Sequence, residues 1–260
     1  MRHLPLMGLL ASLSACTAEP APSFPQLPAP PAELTPAPAP TAEAATPVGE
    51  AGRPPPVGVS GVVEALGTRS TVAGAAVVEL DSAPPNATVS DDLGAFELVL
   101  TGRSPVQLWT PAAEGRLAAS VAFNGGYADL VGGDVALVVP GQQEALALFQ
   151  ETTRVAWPEG VGVVVVEFEV PERRVAEGLS ATLSAEHLAP FVWNEAGEPI
   201  PGNTLVAMPS RPWLMFAAVK PGEAKIEVRP NPKMGCEAPT RVTVRPRMWT
   251  RVLVRCFGEG

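Results

Sequence analysis

What this chain lacks narrows its chemistry first. Charged residues make up only 17% of it. Histidine occurs twice, as His3 and His187, and cysteine three times, as Cys16, Cys236 and Cys256. No His-Glu-x-x-His, no Gly-x-Ser-x-Gly elbow and no glycine-rich phosphate loop before a helix is present. A Ser-His-Asp device would have to use His187, a lone histidine beside a turn. After the first residues, no apolar stretch approaches the length of a membrane-spanning helix. The densest run, 161–170, is β-branched, is interrupted by Glu167 and Glu169, and reads as a strand. The net charge of −9 disfavours nonspecific binding to nucleic acid. We therefore expect no cofactor, no metal, no catalytic residue and no nucleic-acid partner. Paired carboxylates for glycoside hydrolysis stay open, because their separation is spatial.

Proline, by contrast, is abundant, with 31 residues in 260. Proline is poor in helix interiors, which tilts the reading away from helix. Apolar residues reach 46%, enough for a core. The charge is uneven: residues 211–260 hold ten Lys and Arg against four Glu, so the acidic excess lies in the rest.

Arg2 and the apolar stretch Leu4–Leu13 (interrupted by Pro5), followed by Ser14 and Ala15, have the parts of a secretory signal peptide, 1–15. Leu13-Ser14-Ala15-Cys16 resembles the lipobox of bacterial lipoproteins. That resemblance implies cleavage before Cys16 and acylation of its thiol. One acyl chain anchors only marginally, and the lipoprotein modification supplies several on one residue. Thr17, where Asp would favour retention in the inner membrane, implies the bacterial outer membrane. Residues 16–56 then form a lipidated cysteine and a Pro/Ala-rich linker. Without apolar periodicity it cannot offset its ordering entropy and is expected to be disordered. About forty residues at about 3.1 Å each would reach roughly 120 Å when fully extended.

From 57 to 140 the pattern is β. "VGVSGVVEA", "GAAVVEL", "NATV", "AFELVL", "PVQLWTP", "LAASVAF" and "DVALVVP" read as short strands separated by turn signals. Asp91, Asp92 and Gly94 suit a tight turn. Two adjacent Asp do not supply a calcium loop. Asn86-Ala87-Thr88 fits a glycosylation sequon without functional weight in a bacterial lipoprotein. Gly61-Val62-Val63, Ala73-Gly74-Ala75-Ala76-Val77 and Ser90-Asp91-Asp92-Leu93-Gly94-Ala95-Phe96 together resemble the carboxypeptidase regulatory-like domain. Ser90 stands where that family usually has Thr. The resemblance implies a transthyretin-like (prealbumin-like) sandwich, noncatalytic and accessory.

Residues 141–157 are a connector, a short helix or an edge strand. A second β-rich unit follows, 158–260. Its spacing from Phe216 to Val228 resembles late prealbumin-like repeats and implies a divergent copy of the first. The fold class is thus all-β, two β-sandwich units after a disordered linker. In "RVTVRPRMWTRVLVRC" two alternating strands predict a terminal hairpin with one buried and one basic face. Cys236 and Cys256 flank it, so chain geometry brings them together as a disulfide contributing about 2–4 kcal/mol. Two thiols and one mature-chain histidine are too few for zinc. The basic face comprises Lys225, Arg229, Arg241, Arg245, Arg251 and Arg255. It is a solvated face that resists edge pairing, or a surface for an anionic ligand.

The expectation is a noncatalytic, lipid-anchored envelope protein serving as a structural or protein-interaction module. Its partners would be the membrane, through the anchor, and an envelope protein or glycan. A first alternative is a binder of carbohydrate or envelope polymer, using Trp109, Trp157, Trp193, Trp213 or Trp249; exposed coplanar rings would favour it, and buried ones oppose it. A second is a hydrolase with a polar pocket around His187 or a carboxylate pair.

Overall fold

The computed structural model describes residues 57–100, 105–124, 134–170, 176–206, 209, 211–232 and 234–258. The signal peptide, Cys16 and the linker lie outside the described residues. Gly52–Gly260 forms one compact unit.

Seven strands make the first half: β1 (Val57–Ala65), β2 (Ala76–Glu79), β3 (Asn86–Val89), β4 (Ala95–Leu100), β5 (Val106–Thr110), β6 (Ala118–Phe123) and β7 (Asp134–Val139). They form two layers. One is a three-stranded sheet in the order β4-β1-β7, with β1 and β7 parallel. The other is the run β6-β5-β2-β3. Val59, Val63, Phe96, Leu98 and Leu137 of the first layer meet Leu108, Val121 and Phe123 of the second in one core. Gly61 is needed where β1 meets its neighbours. A Cβ there would lie 2.1 Å from the Val135 carbonyl oxygen and 2.6 Å from the Phe96 ring. Between β3 and β4 the acidic pair makes a turn, as expected. Asp91 Oδ1 accepts from the amides of Leu93 (2.9 Å) and Ala95 (2.8 Å), and Gly94 sits at φ 76°. Ser90 is buried and donates its hydroxyl to the Val72 carbonyl at 2.8 Å.

The connector is a helix, α1 (Gln142–Thr153), ended by Arg154 in the left-handed region with its amide bonded to the Gln150 carbonyl. The second half holds β8 (Gly162–Glu169), β9 (Ser180–Leu183), β10 (Phe191–Trp193), β11 (Pro199–Pro201), β12 (Trp213–Val219), β13 (Gly222–Arg229), β14 (Met234–Glu237), β15 (Arg241–Val244) and β16 (Met248–Gly258). "TLVAM" yields no strand among its described residues; Thr204 makes only an isolated bridge to Ser180. The long turn 194–203 contains β11, which pairs with β10 around a tight turn at Asn194–Glu198.

β8 explains its own run of four successive valines, Val163–Val166. Val164, Val166 and Phe168 enter a core closed by the three-stranded sheet β15-β13-β9. Val163 and Val165 point the other way, into a core with Ala145 and Phe149 of α1, Trp157, Met215 and Trp249. A strand covered on both faces need not alternate.

The two halves are joined. β16 runs parallel to β8 on one side and to β6 on the other. The result is a ten-stranded sheet in the order β11-β10-β12-β8-β16-β6-β5-β2-β3, with β14 attached to β16. β16 thereby covers the side of β6 that would otherwise be an open edge. The chain is all-β apart from α1 among the described residues, and it is layered as sandwiches, as the strand pattern predicted.

The terminal hairpin requires correction. β15 pairs with β13, and β16 is an interior strand of the large sheet. Seven successive residues of β16, Met248–Val254, are buried. A strand that apolar on both faces is drawn between two layers, whereas four-residue β15 has one buried face, Val242 and Val244. Pro246 and Arg247, the latter at φ 55°, turn the chain from one sheet to the other.

Candidate functional site

The six basic residues do not form one face. On β13 the outward positions read Glu223, Lys225, Glu227, Arg229, all exposed, while Ala224 and Ile226 are buried. Signs therefore alternate along that strand, and Arg241 adds an ion pair to Glu223 at 3.6 Å. Charges of opposite sign on neighbouring sheet positions neutralise one another. Arg245 lies over the Trp109 ring, 4.8 Å from its centroid. Arg255 is half-buried. Arg251 is only 7% exposed. Its Nε donates to Glu167 Oε2 at 3.0 Å, its Nη2 also reaches that oxygen, and its Nη1 donates to the Ala136 carbonyl at 2.9 Å. A buried guanidinium demands such partners. Reading period 2 along β16 marked Arg251 as outward; the parallel neighbours on both sides bury it.

Cys236 and Cys256 face each other across β14 and β16 and form the predicted disulfide. The route differs from the one expected, because the partner strand is β14.

The tryptophans make no flat platform. Trp157, Trp193 and Trp249 are buried. Trp109 and Trp213 are half-buried, and each has an arginine over its ring, Arg211 at 5.0 Å in the case of Trp213. Trp193 and Trp213 meet edge to face with centroids 6.4 Å apart.

A broad concavity lies on the helix side of the large sheet. The face of β8 that carries Val163 and Val165 in the helix core carries Glu167 and Glu169 farther along. There a cleft of about 750 Å³ opens. Glu144, Leu148 and Glu151 of α1 form one wall, and Arg211, Pro212 and Trp213 at the start of β12 form the other. The spacing i, i+4, i+7 places the three α1 residues on one side of the helix. Arg251 and Glu167 lie in its lining. A second cleft of about 330 Å³ shares Leu148, Glu151 and Arg211 with it and is lined further by Thr152, Trp193 and Pro199. Sequence reasoning singled out Arg251, Trp193 and Trp213 in other groupings, but it did not join them with Glu144, Leu148, Glu151 and Arg211. The one available signal was the pair Glu167 and Glu169, acids at alternate positions closing an apolar strand.

A third cleft, also about 330 Å³, lies where the halves meet and is lined by Asp81, Gln107, Glu223, Arg241 and Thr243. His187 lies in none of the three clefts. Its ring packs edge-on against Phe216, with centroids 4.8 Å apart. Among the described residues no group of three or more His, Cys, Asp or Glu could hold a metal.

No protein-family model matches the chain, and no curated protein matches it. Solved structures show remote likeness. The Bacillus anthracis TIE protein is 10% identical with a TM-score of 0.25, over 78% of this chain and 34% of that one. The chain thus spans about a third of that protein's length. The major pilin of Streptococcus pyogenes is 5% identical, TM-score 0.26, over 77% of this chain and 98% of that one. GBS52, the minor pilin of Streptococcus agalactiae, is 10% identical, TM-score 0.27, over 78% and 97%. TM-scores this low carry no argument about function, which therefore has to come from the residues themselves.

Proposed function

We propose that the chain is a lipid-anchored protein of the bacterial outer membrane whose folded part is a noncatalytic structural or interaction module. One observation carries the reading. The disulfide takes Cys236 and Cys256, and of three cysteines in the chain it leaves Cys16, the residue that ends the lipobox-like Leu13-Ser14-Ala15-Cys16. An extracytoplasmic compartment is also where a stable disulfide belongs. The Pro/Ala-rich stretch to residue 56 acts as a stalk that holds the module off the membrane. The module suits that place. Its halves share one sheet, so its surfaces stand in fixed relation to one another.

The test is metabolic labelling with an alkyne fatty acid in a bacterial host, comparing wild type with Cys16→Ala. Wild type is expected to label and to fractionate with outer membranes, and the variant to do neither. Equal labelling overturns the anchor. A pull-down from envelope extracts with the full chain then reports the partner.

A further inference from the structure

We propose that β16 is the closing strand of the fold: neither half is a finished body until β16, which follows every other described strand in chain order, has entered between them. The inference concerns how the folded state is reached, and it stands apart from the anchor.

The first observation is where the side chains of β16 go. It is the one strand among the described residues that enters all three cores. Val252, Val254 and Cys256 belong to the core closed by β15-β13-β9. Leu253 belongs to the core of the first half. Trp249 belongs to the core beneath α1. A half without β16 therefore keeps a void in its core as well as an open sheet, and unfilled core volume is costly.

The second observation is the sheet order. β6 and β8 each pair with β16, which lies between them. Taking β16 away divides the large sheet into β11-β10-β12-β8 and β6-β5-β2-β3. It bares one edge of β6 and one of β8, and it leaves β14 without the strand it pairs with. Polar links across the junction arrive with the same strand. Arg251 bonds Glu167 of β8 and the Ala136 carbonyl of β7, and the Ser120 hydroxyl of β6 donates to Thr250.

Chain order then sets the timing. Ser120 and Thr250 are 130 residues apart. The entropy of closing so long a loop has to be offset before the parallel pairing returns anything, so such contacts form late. The hairpin contacts within β2–β3 and β5–β6 are local and form without that cost. A first half that emerges before β16 thus holds its local pairs while the far side of β6 stays open.

The experiment refolds the full chain, disulfide intact, from urea and pulse-labels its amides. Amides of β1, β4 and β5 in the first half, and of β12 and β13 in the second, are expected to reach full protection no earlier than those of β16. Full protection of either half in a phase that precedes β16 overturns the proposal. Leu253→Ala gives an equilibrium check. Its side chain lies in the first-half core, yet the slowest amides of β1 and of β12 are expected to exchange faster by the same factor, about a hundredfold. Leu253→Val, with a smaller common factor, serves if the alanine variant does not fold. Acceleration confined to one half would mean that the halves open independently, and would overturn the proposal.

Discussion

Gln107 on β5 bonds both backbone groups of Thr243 on β15, although 136 residues separate them. Its Nε2 donates to the Thr243 carbonyl and its Oε1 accepts from the Thr243 amide, each at 2.8 Å. The side-chain amide thus takes the place of a neighbouring strand at the junction of the two halves. Gln107 Nε2 also donates to Ser120 Oγ at 2.9 Å, and the Ser120 hydroxyl donates to Thr250 Oγ1 at 3.2 Å. The Thr243 hydroxyl reaches Asp81 at 3.2 Å.

Replacing Gln107 leaves a backbone donor and acceptor short of partners at a partly buried position. Each orphaned group costs about 1–3 kcal/mol. Gln107→Ala is therefore predicted to lower unfolding stability by about 2–4 kcal/mol, read as a shifted urea midpoint. A change below about 0.5 kcal/mol would show that water replaces the clasp.

Arg251 and Glu167 make a second prediction. Removing one partner strands a buried charge, so Arg251→Met is expected to destabilise by about 3–5 kcal/mol. The double variant Arg251→Met, Glu167→Met should recover most of that loss, because replacement of a whole buried pair by apolar groups is often neutral. Chemical denaturation of the four-member cycle measures the coupling. Additive losses would mean that the pair is not coupled in the folded protein.

Loss of the disulfide tests the end of the large sheet. Cys236→Ala with Cys256→Ala is predicted to cost about 2–4 kcal/mol. The expected sign of local loosening is faster amide hydrogen exchange in β14 and the end of β16, with β6 and β8 still protected. Equal exchange in both forms would place the stabilisation elsewhere.

Gly61 makes the sharpest steric prediction. An added methyl would overlap the Val135 carbonyl and the Phe96 ring. Gly61→Ala should destabilise by about 1–3 kcal/mol or more, whereas Gly58→Ala, with nothing within 4 Å of its Cβ site, should cost far less. Thermal melts of the two variants side by side decide it, and similar melting temperatures would contradict the packing described.

Local features were legible in the sequence because they answer to local physics. Period-2 alternation located Phe96, Leu98 and Leu100 inward on β4. Asp91 and Gly94 marked their turn through side-chain-to-backbone bonding and a positive φ. The two cysteines expected to pair do so, across β14 and β16. The helix–strand ambiguity of residues 141–157 was resolved by burial of Ala145, Phe149 and Thr152 against the sheet.

The chain's residue order by itself determined an all-β sandwich body, because alternation and turn chemistry are set within a few residues; it named the two cysteines that pair, but not the strands that bring them together. Only the tertiary structure decided which strands neighbour which. Parallel pairing of β16 with β6 and β8 joins segments far apart in the chain and leaves no local mark. That pairing took Arg251 from an expected surface to a buried bond with Glu167. It also brought Glu151 of α1 to one cleft with Arg211 and Trp213 at the start of β12, since only the sheet with α1 laid across it places those two distant segments side by side.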